Sequence, residues 1–352
     1  MNQVLNLAKK LIEKPSTSDN KKALDEVLNI CKKELSDFDL KEFEEEKVKS
    51  LLFFNTSTEK FKIIFNAHLD IVSAKNKQYR PFEKNKKLFG RGSYDMKTAA
   101  ACMILLFKEL SKKVNYPFGL QLVTDEEVGG FKGTKYQIEQ GIRADFVIAG
   151  ENTDLKINHK SKGIIWLKVK TKGISAHGAY PWLGDNAIWK MQKFLARLEK
   201  LYPIPNKEVW CTTVNLSMLD TPNKTSNKVP DACSAFLDIR YIPEDKDKVI
   251  ANIEKLGDDF GLEIVLKEPE HSTDESNPYI QKLSNSIREV TNKDAELVSK
   301  PGASDLRHYN RVGCDGVTFG IIGDGHHSDN EWADIKSIKQ YYNILENFLT
   351  KI

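Results

Sequence analysis

Five short segments carry residues that bind metals, and each follows an apolar, strand-like run: His68-Leu69-Asp70, Gly92-Ser93-Tyr94-Asp95, Asp125-Glu126-Glu127, Gly150-Glu151 and His326-His327-Ser328-Asp329. In an open α/β sheet the carboxyl ends of neighbouring strands converge on one crevice, so side chains from distant positions can meet around one ligand. His68 and Asp70 stand at i and i+2 of a strand end and point the same way. The Asp70 carboxylate can take one imidazole N–H and turn the other ring nitrogen towards a metal. Asp95 follows a glycine-containing loop and opens a helix, where it can cap the helix or bridge two cations through its two oxygens. Glu126 and Glu127 are adjacent, so their side chains diverge: one can ligate while the other faces a reacting water. Val128-Gly129-Gly130 then forms a tight turn over the sheet end. Glu151 and the His326-His327 pair have the same address, beyond a strand and beside glycine. Imidazole with carboxylate is a donor set that zinc accepts, and five such ends in one chain read as a metal site assembled by the fold.

The elements that must position these residues follow from periodicity. Val4, Leu5, Ala8, Leu11 and Ile12 recur at helical spacing in a surface helix, and a second amphipathic helix spans residues 20–35. The charge run 41–49 reads as a solvated edge. Strands at 61–67, 119–124 and 146–149 alternate with helices at 96–110 and 132–140, which predicts an α/β fold with a mixed, mostly parallel sheet flanked by helices. From residue 161 the pattern changes to strand, helix, strand, strand, helix, strand (strands near 161–171, 212–218, 234–241 and 262–267; helices 185–202 and 243–260), the order of a ferredoxin-like unit. Residues 161–271 are therefore expected as an inserted lid or dimerisation domain. The catalytic, metal-binding domain would comprise residues 1–160 and 272–352, resuming with a helix at 278–291 and a strand at 316–322.

Composition narrows the function. The 352 residues are 40% hydrophobic and 29% charged, enough for a large core and more than one domain. With 53 basic and 50 acidic side chains the surface offers no cationic stripe for a phosphate backbone, so nucleic acid is not an expected partner. Five scattered cysteines without a CxxC pair argue against disulfides or a cysteine zinc site and fit a reducing cytoplasm. The N-terminus lacks the continuous apolar core of a signal peptide, and no apolar run approaches the ~20 residues that span a bilayer, so no membrane is expected.

The series "NAHLDIV", "GRGSYDMKTAAA", "TDEEVGG", "GENT", "SAHGAYP" and "GHHSDNEW", in this order, resembles the dinuclear-zinc family of acetylornithine deacetylase, succinyl-diaminopimelate desuccinylase, aminoacylase and glutamate carboxypeptidase. The resemblance implies two divalent ions, most simply Zn2+, with Co2+ or Mn2+ also accepted by such ligands. His68 and Glu151 would hold one, His327 and Glu127 the other, and Asp95 would bridge them. Glu126 would be the general base of an amide hydrolysis, and Asp70 would orient His68. His327, four residues before Glu331, matches the family spacing; His326 is an extra. A cis peptide is implied at Asp95-Met96. His177 would stabilise the oxyanion, reaching in from the partner subunit of a homodimer formed through the lid. On the substrate side, Arg240 matches the position that clasps a carboxylate, and Asn227 and the loop containing Gly302 and Ser304 match other contacts. Lys162 stands where the desuccinylases carry paired arginines, which keeps charge but loses the planar fork, and Arg307 adds a second cation. The implied substrate is an N-acyl amino acid, or a short peptide, with a free carboxylate; a dipeptidase or carboxypeptidase is the alternative, and a non-catalytic peptide-binding module a remote one.

Overall fold

The computed structural model describes all 352 residues. They form two compact units, one of Met1–Lys160, Ser272–Ser299 and Ser304–Ile352, the other of Ser161–His271 and Lys300–Ala303.

Four parallel strands make the centre of the first unit's sheet, in the order Phe118–Val123, Lys60–His68, Arg143–Ala149 and Asp315–Thr318. Each is buried on both faces over most of its length, as a strand covered on both sides requires, and is mainly apolar there apart from Asn66, Gln121 and Thr318. On one face lies the helix Lys97–Leu110, whose run from Ala99 to Phe107 is buried almost throughout. It packs against the helices Asn2–Ile12 and Ile335–Thr350, and the first of these turns Val4, Leu5, Leu7, Ala8, Leu11 and Ile12 into the core. The helices Thr134–Glu139 and Leu306–Asn310 cover the other face through Ile138, Leu306 and Tyr309. No helix is long and apolar enough to cross a membrane. The fold class is the mixed, mostly parallel α/β arrangement that the alternation implied.

The charge run 41–49 is a solvated edge as expected: an antiparallel hairpin, Asp39–Glu45 with Val48–Phe54, ends the sheet, and only Phe43 of its outer strand is buried. Glu46 and Lys47 both have positive φ, the conformation of the two-residue hairpin turn. Other elements differ from expectation. The strand expected at 316–322 stops at Thr318 because Gly320 must pass the Glu151 backbone: a Cβ there would lie 2.0 Å from the Glu151 carbonyl oxygen. The helix expected at 243–260 is only Val249–Glu254, since Gly257, at φ +145, turns the chain into the strand Phe260–Glu268.

The second unit is a four-stranded antiparallel sheet in the order Thr213–Asp220, Ala232–Tyr241, Gly163–Lys172 and Phe260–Glu268. Chain order and sheet order together are those of a ferredoxin-like unit. The helices Ala187–Leu201 and Val249–Glu254 close its core with Met191, Phe194, Leu198, Val249 and Ile253.

A small sheet in the first unit was not foreseen. It joins Gly323–Asp324, Trp332–Asp334, Lys87–Phe89 and Phe82–Lys84, and its strands of two or three residues are too short to show a period. It brings Arg91 and Glu331 together inside the protein, Nη1 to Oε2 at 2.5 Å, both side chains buried. The other Glu331 oxygen accepts the backbone N–H groups of Gly92, Tyr94 and Asp95 at 3.0, 2.9 and 3.1 Å. Arg91 Nη2 donates to the Ser328 carbonyl at 3.2 Å, beside Gln78 Nε2 at 2.9 Å. One carboxylate and one guanidinium thus tie the loop ending in Asp95 to the loop carrying His326 and His327. Removing one partner of a buried ion pair leaves the other charge uncompensated. Glu331→Ala is expected to lower stability by about 3–5 kcal/mol in urea denaturation; an unchanged unfolding midpoint would contradict this account of the clasp.

Candidate metal centre

His68 ends a central strand and is buried. Its Nδ1 lies 3.0 Å from the backbone carbonyl of Asp70, an acceptor only, so Nδ1 carries the proton. The Asp70 carboxylate is farther, 3.5 Å from the same nitrogen, and accepts the Glu127 backbone N–H at 2.9 Å. Asp70 therefore orients His68 mainly through its backbone, while its side chain fixes the loop that carries Glu126 and Glu127.

With Nδ1 protonated, Nε2 of a neutral ring turns a lone pair towards Asp95 Oδ1, 3.1 Å away, and towards Glu151 Oε2 at 3.9 Å. Lone pair against carboxylate repels, so this contact requires positive charge: a second proton on the ring or a metal ion. Glu151 Oε1 is buried without a hydrogen-bond partner, a further sign of a missing positive group.

Asp95 also serves a second group of donors. Its Oδ2 is 2.6 Å from His326 Nε2 and 3.4 Å from His327 Nε2, and His327 Nε2 is 3.3 Å from Glu127 Oε1. Ligand atoms of His68, Asp95 and Glu151 lie within 4.8 Å of one another, as do those of Asp95, His326 and His327. Asp95 is common to both sets. It does not cap the helix Lys97–Leu110, and its peptide bond to Met96 is cis.

Glu126 and Glu127 leave the strand Phe118–Val123 in a short turn closed by Gly129 and Gly130, both at positive φ. A Cβ on Gly130 would meet the Asp305 carboxylate at 1.8 Å, so only glycine allows the turn to settle there.

Titration follows from this crowding. Burial and the neighbouring Glu151 hold the Glu126 carboxyl well above the usual range. Burial lifts Glu151 to about 8. Asp95 is pulled well below its ordinary value by His326, His327 and His68, which outweigh its burial. Hydrogen bonds to Asp95 and Glu127 raise His327 to about 10. Without metals the site gathers protons in place of cations. An imidazole and carboxylate set of this kind fits divalent zinc, cobalt or manganese.

The strand-end picture needs revision in two places. His68, Glu126, Glu127 and Glu151 do come from the carboxyl ends of parallel strands. Asp95, His326 and His327 come from loops of the small sheet instead, held by the clasp of Arg91 and Glu331. Sequence reasoning missed Arg91, whose one local signal is an arginine between two glycines.

The substrate-side residues are divided. Ser304 and Arg307 belong to the first unit, are buried, and are engaged with the scaffold: Arg307 Nη1 donates to the Ser304 carbonyl at 2.8 Å and Nη2 to the Gly129 carbonyl at 2.5 Å. His308 Nε2 donates to that same carbonyl at 2.9 Å. Arg307 thus supports the Glu126-Glu127 turn, with two of its five N–H groups on backbone oxygens. Lys162, His177, Asn227, Arg240 and Gly302 belong to the second unit. Lys162 is buried, and burial lowers its pKa. Arg240 is held by Asp238 two residues earlier on the same face, Nε to Oδ1 at 2.9 Å and Nη2 to Oδ2 at 3.1 Å. His177 and Asn227 are neighbours: His177 bridges to Lys228, and the Gly178 N–H donates to the Asn227 carbonyl at 2.7 Å. Gly302 is exposed, with open space where a side chain would stand.

Comparison with known proteins agrees with this chemistry. Residues 64–351 match the model of peptidase family M20/M25/M40. Succinyl-diaminopimelate desuccinylase of Erythrobacter litoralis is 27% identical, covering 97% of this chain and 97% of its own; that of Rickettsia akari is 28% identical over 82% and 83%. Among solved structures, aminopeptidase PepT from Bacillus cereus superposes with a TM-score of 0.83 at 18% identity, covering 99% of this chain and 97% of that one. The Bacillus subtilis YXEP protein, described as a dinuclear metal binding peptidase, gives 0.74 at 12% identity over 99% and 97%. The match spans most of the chain, and the chain belongs to the M20/M25/M40 family of metal-dependent hydrolases of amide bonds.

Proposed function

We propose that the protein removes the acyl group from an N-acyl amino acid, as a deacetylase or desuccinylase, using two divalent ions and Glu126 as general base. The observation that carries this reading is the sharing of Asp95 by two donor groups, His68 and Glu151 on one side, His327 and Glu127 on the other. Divalent ions, zinc above all, supply Lewis acidity when bound: they acidify water and polarise a carbonyl.

The chain's own residues do the rest. Glu126 takes a proton from the attacking water as the new C–O bond forms at the amide carbon. It returns that proton to the nitrogen as the C–N bond breaks, so that a carboxylic acid and an amine leave, the acid then losing its proton to the amine or to solvent. Burial and Glu151 raise the Glu126 pKa, which suits a base that must also donate. The Ala179 N–H donates to His177 Nδ1 at 3.1 Å, which leaves Nε2–H as the donor on an exposed ring, the form an oxyanion needs. Asp238 fixes one edge of the Arg240 guanidinium and leaves the rest of its fork for a substrate carboxylate. Lys162, and Asn227 beside His177, are further substrate-side groups.

A homodimer through the second unit supports delivery of His177 from a partner. The strand Thr213–Asp220 is the end of its sheet and exposes Leu216, Met218 and Leu219. The desuccinylase relatives favour the deacylase reading. A dipeptidase or carboxypeptidase of the same family is the second reading, favoured by the likeness of the fold to peptidases.

Glu126→Gln is expected to retain its metal content while turnover falls about 10²–10⁴-fold; a rate near wild type removes Glu126 as the base. Arg240→Ala should raise KM for N-acyl amino acids by about 10–100-fold, the loss of a hydrogen bond to a charged group. Assay of a panel of N-succinyl and N-acetyl amino acids against dipeptides decides the class: turnover of dipeptides alone overturns the deacylase reading.

A further inference from the structure

We infer that His326 is a metal ligand in its own right, so that the two cation positions are chemically unequal. The inference rests on the two-cation reading above and adds a residue that the family resemblance leaves without a role.

Successive side chains on an extended backbone point to opposite sides. Here they do not. Gly325 and His327 both have positive φ, 75° and 58°, and the Ser328 N–H closes the turn on the Gly325 carbonyl at 2.8 Å. The two imidazoles lie against each other, ring centroids 3.9 Å apart. Both Nε2 atoms reach the same oxygen, Asp95 Oδ2. Arg91 and Gln78 hold the Ser328 carbonyl, so the turn is anchored from inside the protein. His327 adopts a conformation that is unfavourable for a residue with a Cβ, and the result is convergence of two imidazoles on one carboxylate oxygen.

The donor sets then differ. His68, Asp95 and Glu151 offer one nitrogen and two carboxylates, three chain ligands that leave coordination open for substrate and water. His326, His327, Asp95 and Glu127 offer two nitrogens and two carboxylates, the four donors that complete a tetrahedral zinc site. Added imidazole favours zinc, nickel and copper over manganese, which prefers oxygen. The ion beside His326 is therefore the more tightly held and the more zinc-selective, and the ion beside His68 is the first to leave under a chelator.

The test uses the full-length protein, stripped of metal and titrated with Co2+. In the protein loaded with two cobalt ions, three exchangeable imidazole N–H resonances shifted by the paramagnetic ions are expected, from His68, His326 and His327. His326→Ala should show two, and its tighter binding step should weaken by at least about 10–100-fold, the loss typical of even an outer partner of a ligand. The same step should lose its preference for Zn2+ over Mn2+. His68→Ala should affect only the weaker step. Two shifted resonances in the wild type, or unchanged affinity in a His326→Ala protein that circular dichroism shows to be folded, overturns the assignment of His326 while leaving the two-cation reading intact. Binding of fewer than two cobalt ions by the wild type overturns both.

Discussion

Five carboxylates, those of Asp70, Asp95, Glu126, Glu127 and Glu151, share a crevice that is largely closed to water, with His68, His326 and His327 set against them. Like charges in such a place are tolerable only with protons or cations between them. The raised values of Glu126 and Glu151 and the histidine contacts of Asp95 all express this one shortage of positive charge. The parallel sheet brings four of the carboxylates together and a loop of the small sheet adds Asp95.

Holding that arrangement requires loops from far-apart parts of the chain to keep register. The clasp of Arg91 and Glu331 ties the Asp95 loop to the histidine turn. Arg307 and His308, both on the Gly129 carbonyl, support the turn bearing Glu126 and Glu127 from behind. Asp70 joins these supports, its backbone carbonyl on His68 and its side chain on the Glu127 N–H. Backbone groups thus receive most of the buried charged side chains near the site, and these fix loops that hydrophobic packing alone would leave adjustable.

The central sheet was legible because strands such as Lys60–His68 and Arg143–Ala149 are continuous apolar runs with a polar residue at the end, and a parallel sheet sends those ends to one place. The small sheet was not, since strands of two or three residues carry no period. Asp95, His326 and His327 were therefore recognised by type but given the wrong kind of support. Arg307 shows a different limit: a guanidinium in sequence has no inside or outside, and here two of its donors hold carbonyl oxygens of the scaffold. The charge run 41–49 was legible as a solvated edge because an edge strand turns most of its side chains outward, and only Phe43 is buried within Asp39–Glu45. The pairing of Arg91 with Glu331 spans 240 positions and leaves no local trace.

Metal content is the most direct test of the claim that this crevice is a two-cation centre. Protein saturated with zinc and freed of excess by gel filtration should carry two ions per chain by elemental analysis. One ion or none at saturation would contradict the account.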